Sequence, residues 1–339
     1  MIERELVTPI DVADADGRLR REAIGWARHP IQRAVFAPHV SRVARWNYWC
    51  VTSREAALTI LVADVGYFGV VLLSFLEYAG GRPVERIYVR PRGLALTMPE
   101  LPRGDVVVDA RRLHLAMRDG DEELRVDAEA RTLLGTRIAI DLVIERPRAH
   151  ETLNVLVPFG DDTRFQLTSK QQALPARGTV RIGPREHRFG PESESFACLD
   201  FGRGRWPKKV HWNWAFASAR REGRTIGINL GGRWTDGTGV TENGFVVDGR
   251  LHKISDAVDF TYDTRAYTSP WRIRTRASRR VDLAFSPMRE RAVVAPLGLV
   301  SAELHQCMGR FSGTLVDDSG ATIRIDDVIG LAEEFRGRW

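Results

Sequence analysis

Arg45-Trp46-Asn47-Tyr48-Trp49 and His211-Trp212-Asn213-Trp214 are the two stretches whose reading decides the fold. Trp-Asn-aromatic is a rare triplet, and one copy in each half of a 339-residue chain points to an internal duplication. The residues downstream of each copy agree. Polar Thr52-Ser53-Arg54-Glu55 leads into an apolar strand and a hairpin through Ala79-Gly80-Gly81-Arg82-Pro83. Ser218-Ala219-Arg220-Arg221-Glu222-Gly223 leads into another, with a hairpin at Asp248-Gly249.

Away from these copies the dominant hydrophobic period is two. Ile138, Ile140, Leu142 and Ile144 alternate with Arg137, Ala139 and Asp141, the pattern of a half-buried strand. Leu113, Leu115 and Met117 run into Asp119-Gly120-Asp121 and return through Leu124 and Val126 as a hairpin. Val281, Leu283 and Phe285 repeat the alternation, as do Phe311 and Leu315 before the turn at Asp317-Asp318-Ser319-Gly320. Helical signal is confined to Gly17–Arg28 and Ile329–Phe335, and strands do not alternate with helices. The expected fold is therefore all-β: two tandem antiparallel β-barrel domains, residues 1–170 and 171–339. The join is expected between Pro158 and Gly190, near Phe159 to Gly183, where Pro158, Gly160, Pro175, Gly178, Gly183 and Pro184 interrupt the pattern.

Composition narrows the function classes. With 43% apolar and 28% charged residues the chain is ordinary globular material. The most apolar stretch, Ala57–Leu76, is broken by Asp64, Gly66 and Gly69, so it reads as two strands and not as a membrane span. The charged start, Met-Ile-Glu-Arg-Glu-Leu, lacks a signal-peptide layout, and Cys50, Cys198 and Cys307 are scattered. A cytoplasmic protein with three free thiols is expected, without integral membrane association. The net charge of +6 comes from an Arg-dominated basic set holding only Lys170, Lys208, Lys209 and Lys253. Arg272, Arg274 and Arg276 fall on one face of a strand, which reads as a solvated sheet surface, and no nucleic-acid partner is expected.

Dinucleotide, phosphate-loop, zinc-protease and nucleophile-elbow motifs are absent, and the eight His residues are dispersed, so neither metal nor cofactor is expected. What remains is the aromatic-polar block from Trp206 to Ile254. On a strand, Trp212 and Trp214 share one face while His211 and Asn213 share the other; likewise Trp46 and Tyr48 lie opposite Asn47 and Trp49. One face of each copy can wall an apolar pocket while the other offers hydrogen-bonding groups. The competing reading is core tryptophan packing with each Asn tying down a loop. Glu242-Asn243 comes after the Gly-rich Gly231–Gly239 stretch. A carboxyl beside indoles would hold its proton more tightly, whereas an ordinary pairing with Arg would not have that effect. The candidate binding residues are Trp46, Asn47, Tyr48, Trp49, Trp212, Asn213, Trp214, Glu242 and Asn243, with Glu242 and His211 as candidate proton carriers.

Trp206-Pro207, His211-Trp212-Asn213-Trp214-Ala215, Gly227-Ile-Asn-Leu-Gly231, Thr241-Glu242-Asn243 and Val247-Asp248-Gly249 together resemble the signature of the bacterial family catalogued as domain of unknown function 2804. Gly25-Trp26-Ala27-Arg28 and Leu174-Pro175-Ala-Arg-Gly178 fit it too, while Asn47 stands where Asp is as common, which weakens an acid role there. More distantly the organisation is similar to double-lipocalin proteins such as the carotenoid hydratase group and some cyclases. That resemblance implies two packed β-barrels and a pocket for a hydrophobic small molecule or lipid; it supplies no reaction. Three functions are compatible with these residues: a lipid or small-molecule binder, an enzyme acting on a polyene-like substrate, or a scaffold locked by its Trp-Asn segments. An acidic group inside an apolar pocket favours the second, a wholly apolar pocket the first, and no pocket the third.

Overall fold

The computed structural model describes residues 3–37, 39–41, 43–66, 68–80, 82–91, 96–297 and 300–338. Two large sheets, antiparallel throughout, each curl into a half-barrel. In the first, the order runs Val84–Pro91, Phe68–Glu77, Ala56–Asp64, Ala44–Thr52, Phe196–Arg205, Phe165–Ile182, Arg137–Glu145, Glu123–Arg131, Leu113–Asp119, Val106–Ala110. The second runs Arg250–Ile254, Asn243–Val247, Arg224–Gly232, Lys209–Arg221, Thr322–Arg338, Val300–Val316, Val281–Leu297, Trp271–Thr275, Val258–Thr261. In both, the Trp-Asn strand opens a four-stranded meander and pairs on its other edge with the last strand of its half. Trp46 and Trp212 therefore occupy equivalent strands.

Alternation places the cores. In Glu123–Arg131, Leu124, Val126, Ala128 and Ala130 are buried while Arg125, Asp127 and Glu129 face out. Trp49, Val51, Leu58 and Ile60 fill the first half-barrel, and Ala215, Ala217, Ile228, Phe245 and Trp271 fill the second. Each large side chain so buried contributes roughly 1.5–3 kcal/mol. The opposite faces of the two Trp-Asn strands meet: Tyr48 and Cys50 pack with Trp214, Phe216, Met308 and Leu331 in a cluster joining the halves.

Each half also carries a glycine at a kink in a long strand. Gly178 (φ 137) lies opposite Leu142 in the first sheet, and Gly313 (φ 144) opposite Leu283 at the matching place in the second. A Cβ on Gly178 would lie 2.1 Å from the Asp141 carbonyl oxygen, and one on Gly313 would lie 2.1 Å from that of Asp282. These twin kinks let long strands bend around the barrel.

Several expectations shift. The join falls between Arg205 and Lys209 and not near residue 170, because Phe165–Ile182 and Phe196–Arg205 are both strands of the first sheet. Pro175 and Gly178 sit inside a continuous strand: one beside the bulge between Gln171 and Leu174, the other at the kink. Ile329–Phe335 is strand, paired on both edges, and Gly17–Arg28 holds only a short helical turn at Arg21–Ala23. The hairpin after Phe68–Glu77 is present, with Gly81 outside the described residues. Arg272 and Arg274 pair with Asp282, and Arg276 pairs with Asp259. The three cysteines are buried thiols, although Cys50 and Cys198 face each other across neighbouring strands. Among the described residues no helix is long and apolar enough to cross a membrane.

Alanine at Gly178 or at Gly313 combines a left-handed backbone with a backbone clash. Each substitution is expected to cost about 2 kcal/mol or more in a denaturant melt, and equally in the two halves. A neutral result at either position would remove the kink from the account of how the sheets close.

Candidate functional site

A cavity of about 230 Å³ opens at the seam between the halves. Cross-strand rows build it. In the first sheet Tyr48, Asp200 and Lys170 stand side by side on three neighbouring strands, and so do Trp46, Gly202 and Thr168. In the second, Gln306, Glu333, Trp214 and Gly231 form one row, and Leu304, Phe335 and Trp212 another. All but Gly202 line the cavity. Gly202 is small for a reason: a Cβ there would lie 2.0 Å from Cζ2 of Trp46.

Tryptophans form the mouth. Trp206 meets Trp46 edge-on with centroids 4.7 Å apart, Trp212 at 6.2 Å and Trp234 at 5.8 Å, and Phe335 stacks on Trp212 at 4.0 Å. These four indoles are half-buried, whereas Tyr48 and Trp214 lie deeper and pack edge to face at 5.5 Å. Asn229 fixes the inner wall: its Oδ1 accepts the Trp214 indole N–H at 2.9 Å, and its Nδ2 donates to the Glu242 carbonyl at 2.6 Å.

Lys170, Asp200 and Glu242 form a charged cluster on the cavity wall. Lys170 Nζ lies 2.8 Å from Asp200 and 3.4 Å from Glu242, and 5.0 Å from the centre of the Trp214 ring. Burial opposes the charge on Lys170, but Asp200 and Glu242 outweigh it and hold the ammonium above its ordinary pKa. Glu242 behaves the other way. Burial, helped by the Asp200 charge, raises its carboxyl above the ordinary 4.5 despite Lys170 and Trp234. Glu333 is also raised by burial, although it accepts hydrogen bonds from Trp212 Nε1 at 3.0 Å and Gln306 Nε2 at 2.7 Å. One ammonium faces Asp200 closely and Glu242 at longer range, so the tighter ion pair is with Asp200 and the Glu242 carboxyl holds its proton more strongly than an exposed glutamate does.

Of the residues singled out in the sequence, Trp46, Tyr48, Trp212, Asn213, Trp214 and Glu242 line the cavity. The others face elsewhere. Trp49 belongs to the first core, and Asn47 accepts from Arg203 Nη2 at 2.9 Å. Asn243 accepts the Gly231 N–H at 2.7 Å and donates to the Asp256 carbonyl, which makes it a loop tie. His211 is corrected as a proton carrier for this cavity. Its Nε2 faces Glu334 at 2.7 Å. Burial opposes ionisation of Glu334, but hydrogen bonds from Tyr267, His211 and Arg336 pull it down to about 2. Lys170, Asp200, Glu333, Arg291 and Gln306 were not singled out. Lys170 had a signal: a rare lysine in the polar run Thr168-Ser169-Lys170-Gln171-Gln172. Among the described residues no group of three His, Cys, Asp or Glu is placed to hold a metal.

Two curled sheets meeting at an indole-walled cavity define a double half-barrel β protein with a small-molecule-sized site. The chain belongs to the family described as domain of unknown function (DUF2804), whose model matches residues 3–339. No curated protein matches it in sequence. Among solved structures it is similar to a protein provisionally named AttH from Nitrosomonas europaea, at 11% identity over 89% of this chain and 94% of that one, with a TM-score of 0.52. Kievitone hydratase from Nectria haematococca matches at 11% identity over 87% and 88% of the two chains, with a TM-score of 0.49. CghA matches at 12% over 96% and 97%, with a TM-score of 0.46. The likeness is one of fold.

The raised carboxyls give a pH prediction. A carboxyl whose folded pKa exceeds its unfolded 4.5 contributes stability that is complete below that value and lost as pH rises through the folded pKa. Glu242→Gln, a neutral mimic of the protonated group, is expected to flatten the fall in Tm as pH rises above the ordinary carboxyl value of 4.5, relative to the parent chain. Parallel Tm–pH curves for the two proteins would show that Glu242 is ionised.

Proposed function

We propose that the seam cavity binds an apolar small molecule and that Glu242 exchanges a proton with it. The observation that carries this reading is a buried carboxyl, its pKa raised by burial, on the wall of a cavity whose surface is largely indole and aliphatic. A carboxyl held above its usual range is suited to act as an acid near neutral pH. The indole-rich wall formed with Trp46, Trp206 and Trp234 supplies the attraction that a developing cation on an unsaturated substrate requires. Protonation of a carbon–carbon double bond by Glu242, followed by loss of a neighbouring proton to its carboxylate, moves the double bond with no co-reactant. Lys170, anchored by Asp200, steadies the carboxylate between the two steps. The simpler role of a binder uses the same walls and leaves Glu242 idle.

Gly231 offers a direct test. A Cβ there would meet Glu242 Cβ at 3.7 Å, an ordinary contact, so Gly231→Ala is expected to fold normally while crowding the cavity beside the carboxyl. Binding of the neutral fluorophore phenylnaphthylamine is expected to weaken several-fold in Gly231→Ala with the melting temperature unchanged. Trp214→Ala is expected to lose binding and also ~3–5 kcal/mol of stability. Glu242→Gln is expected to retain probe binding and to abolish turnover of any substrate found. Unchanged binding in both Gly231→Ala and Trp214→Ala would remove the cavity as the binding site.

A further inference from the structure

Arg291 and Gln306 line the tryptophan cavity and also a second, smaller cavity of about 130 Å³ alongside it. The second cavity is different in kind. Arg82, Arg289 and Arg291 line it from the two halves together with Thr59 and Ser74, whose hydroxyl donates to Glu85 at 2.9 Å, and Glu290 is the single acidic lining residue among the described residues. Glu290 is engaged by His305 Nδ1 at 2.7 Å. The Nε of Arg291 donates to Glu85 at 2.7 Å, and both of its terminal nitrogens are unengaged among the described residues. Arg289 donates to the Gly80 carbonyl, and Arg82 has no partner among the described residues. Guanidinium groups left open in this way form a planar fork suited to a carboxylate. An apolar chamber thus adjoins a cationic one, with Arg291 and Gln306 on the wall of both.

Resting on the proposal that the seam cavity binds an apolar molecule, we propose that its ligand is an amphiphilic acid. The hydrocarbon portion occupies the tryptophan cavity and the carboxylate is held by Arg291 and Arg82 in the adjoining one. The cationic chamber then fixes which end of the molecule reaches Glu242, so orientation is set by charge and not by the apolar walls.

Chain-matched probes test this. Decanoate and decanol, titrated against the full chain by tryptophan fluorescence, share the hydrocarbon and differ in the head group. Decanoate is expected to bind at least about tenfold more tightly, with a preference that shrinks as salt is raised. Arg291→Gln is expected to erase most of that preference by weakening decanoate far more than decanol. Arg82→Gln, at a side chain with no partner among the described residues, is expected to reduce it without altering the melting temperature, which covers the case in which Arg291→Gln disturbs Glu85. Equal affinity for the two probes in the parent chain, or a preference untouched by both substitutions, overturns the amphiphilic-acid proposal and leaves the apolar cavity standing. Failure of both probes to bind overturns the cavity reading and this proposal together.

Discussion

A buried ammonium holds the seam in its present form. Lys170 and Asp200 are cross-strand partners in the first half-barrel, and Glu242 precedes a strand of the second. Lys170 is thus both a partner within its own sheet and the electrostatic link to the other. Removing charges from water is costly, and a buried cation with two acidic neighbours can complete only one tight pair. The arrangement that results is one close ion pair and a second carboxyl whose pKa is raised. The seam's aromatic packing is what makes burial deep enough for that choice to matter.

The duplication is preserved in strand order but not in chemistry. The strand neighbour of Trp46 is Gly202, which yields space to the indole, whereas the neighbour of Trp212 is Phe335, which stacks on it. Each repeated Asn accepts from an arginine: Asn47 from Arg203, Asn213 from Arg233 at 2.9 Å. The arginines come from different elements, the first from the closing strand and the second from the loop after Gly232. Acceptor oxygens in both half-barrels have been kept while the donors changed. The Trp-Asn triplet is therefore a mixed motif: its aromatic members face the seam, Asn47 serves its own barrel, and Asn213 both serves its barrel and reaches the cavity wall.

Much of this was legible in the sequence. Period-two alternation assigned Trp46 with Tyr48 and Trp212 with Trp214 to shared faces, and the repeated triplet implied equivalent strands. The join was misplaced because Pro175 and Gly178 read as breaks, whereas a long strand in a closing sheet uses such residues to bend and continue. The same limit hid Glu333 and Glu334. Adjacent on one strand, they face opposite sides, one into the cavity and the other into a cluster with Tyr267, His211 and Arg336. Which neighbour a buried carboxyl meets depends on pairing between strands far apart in sequence, and local pattern does not encode it.

The position of the cavity between the halves has a consequence for its integrity. Severed in the Arg205–Lys209 connection, one fragment would keep Lys170 and Asp200 and the other Glu242 and Glu333; neither would retain a whole site. A change in one half that alters the depth of the seam is registered by the acidity of groups in the other. The site is therefore a property of the pair and not of either copy.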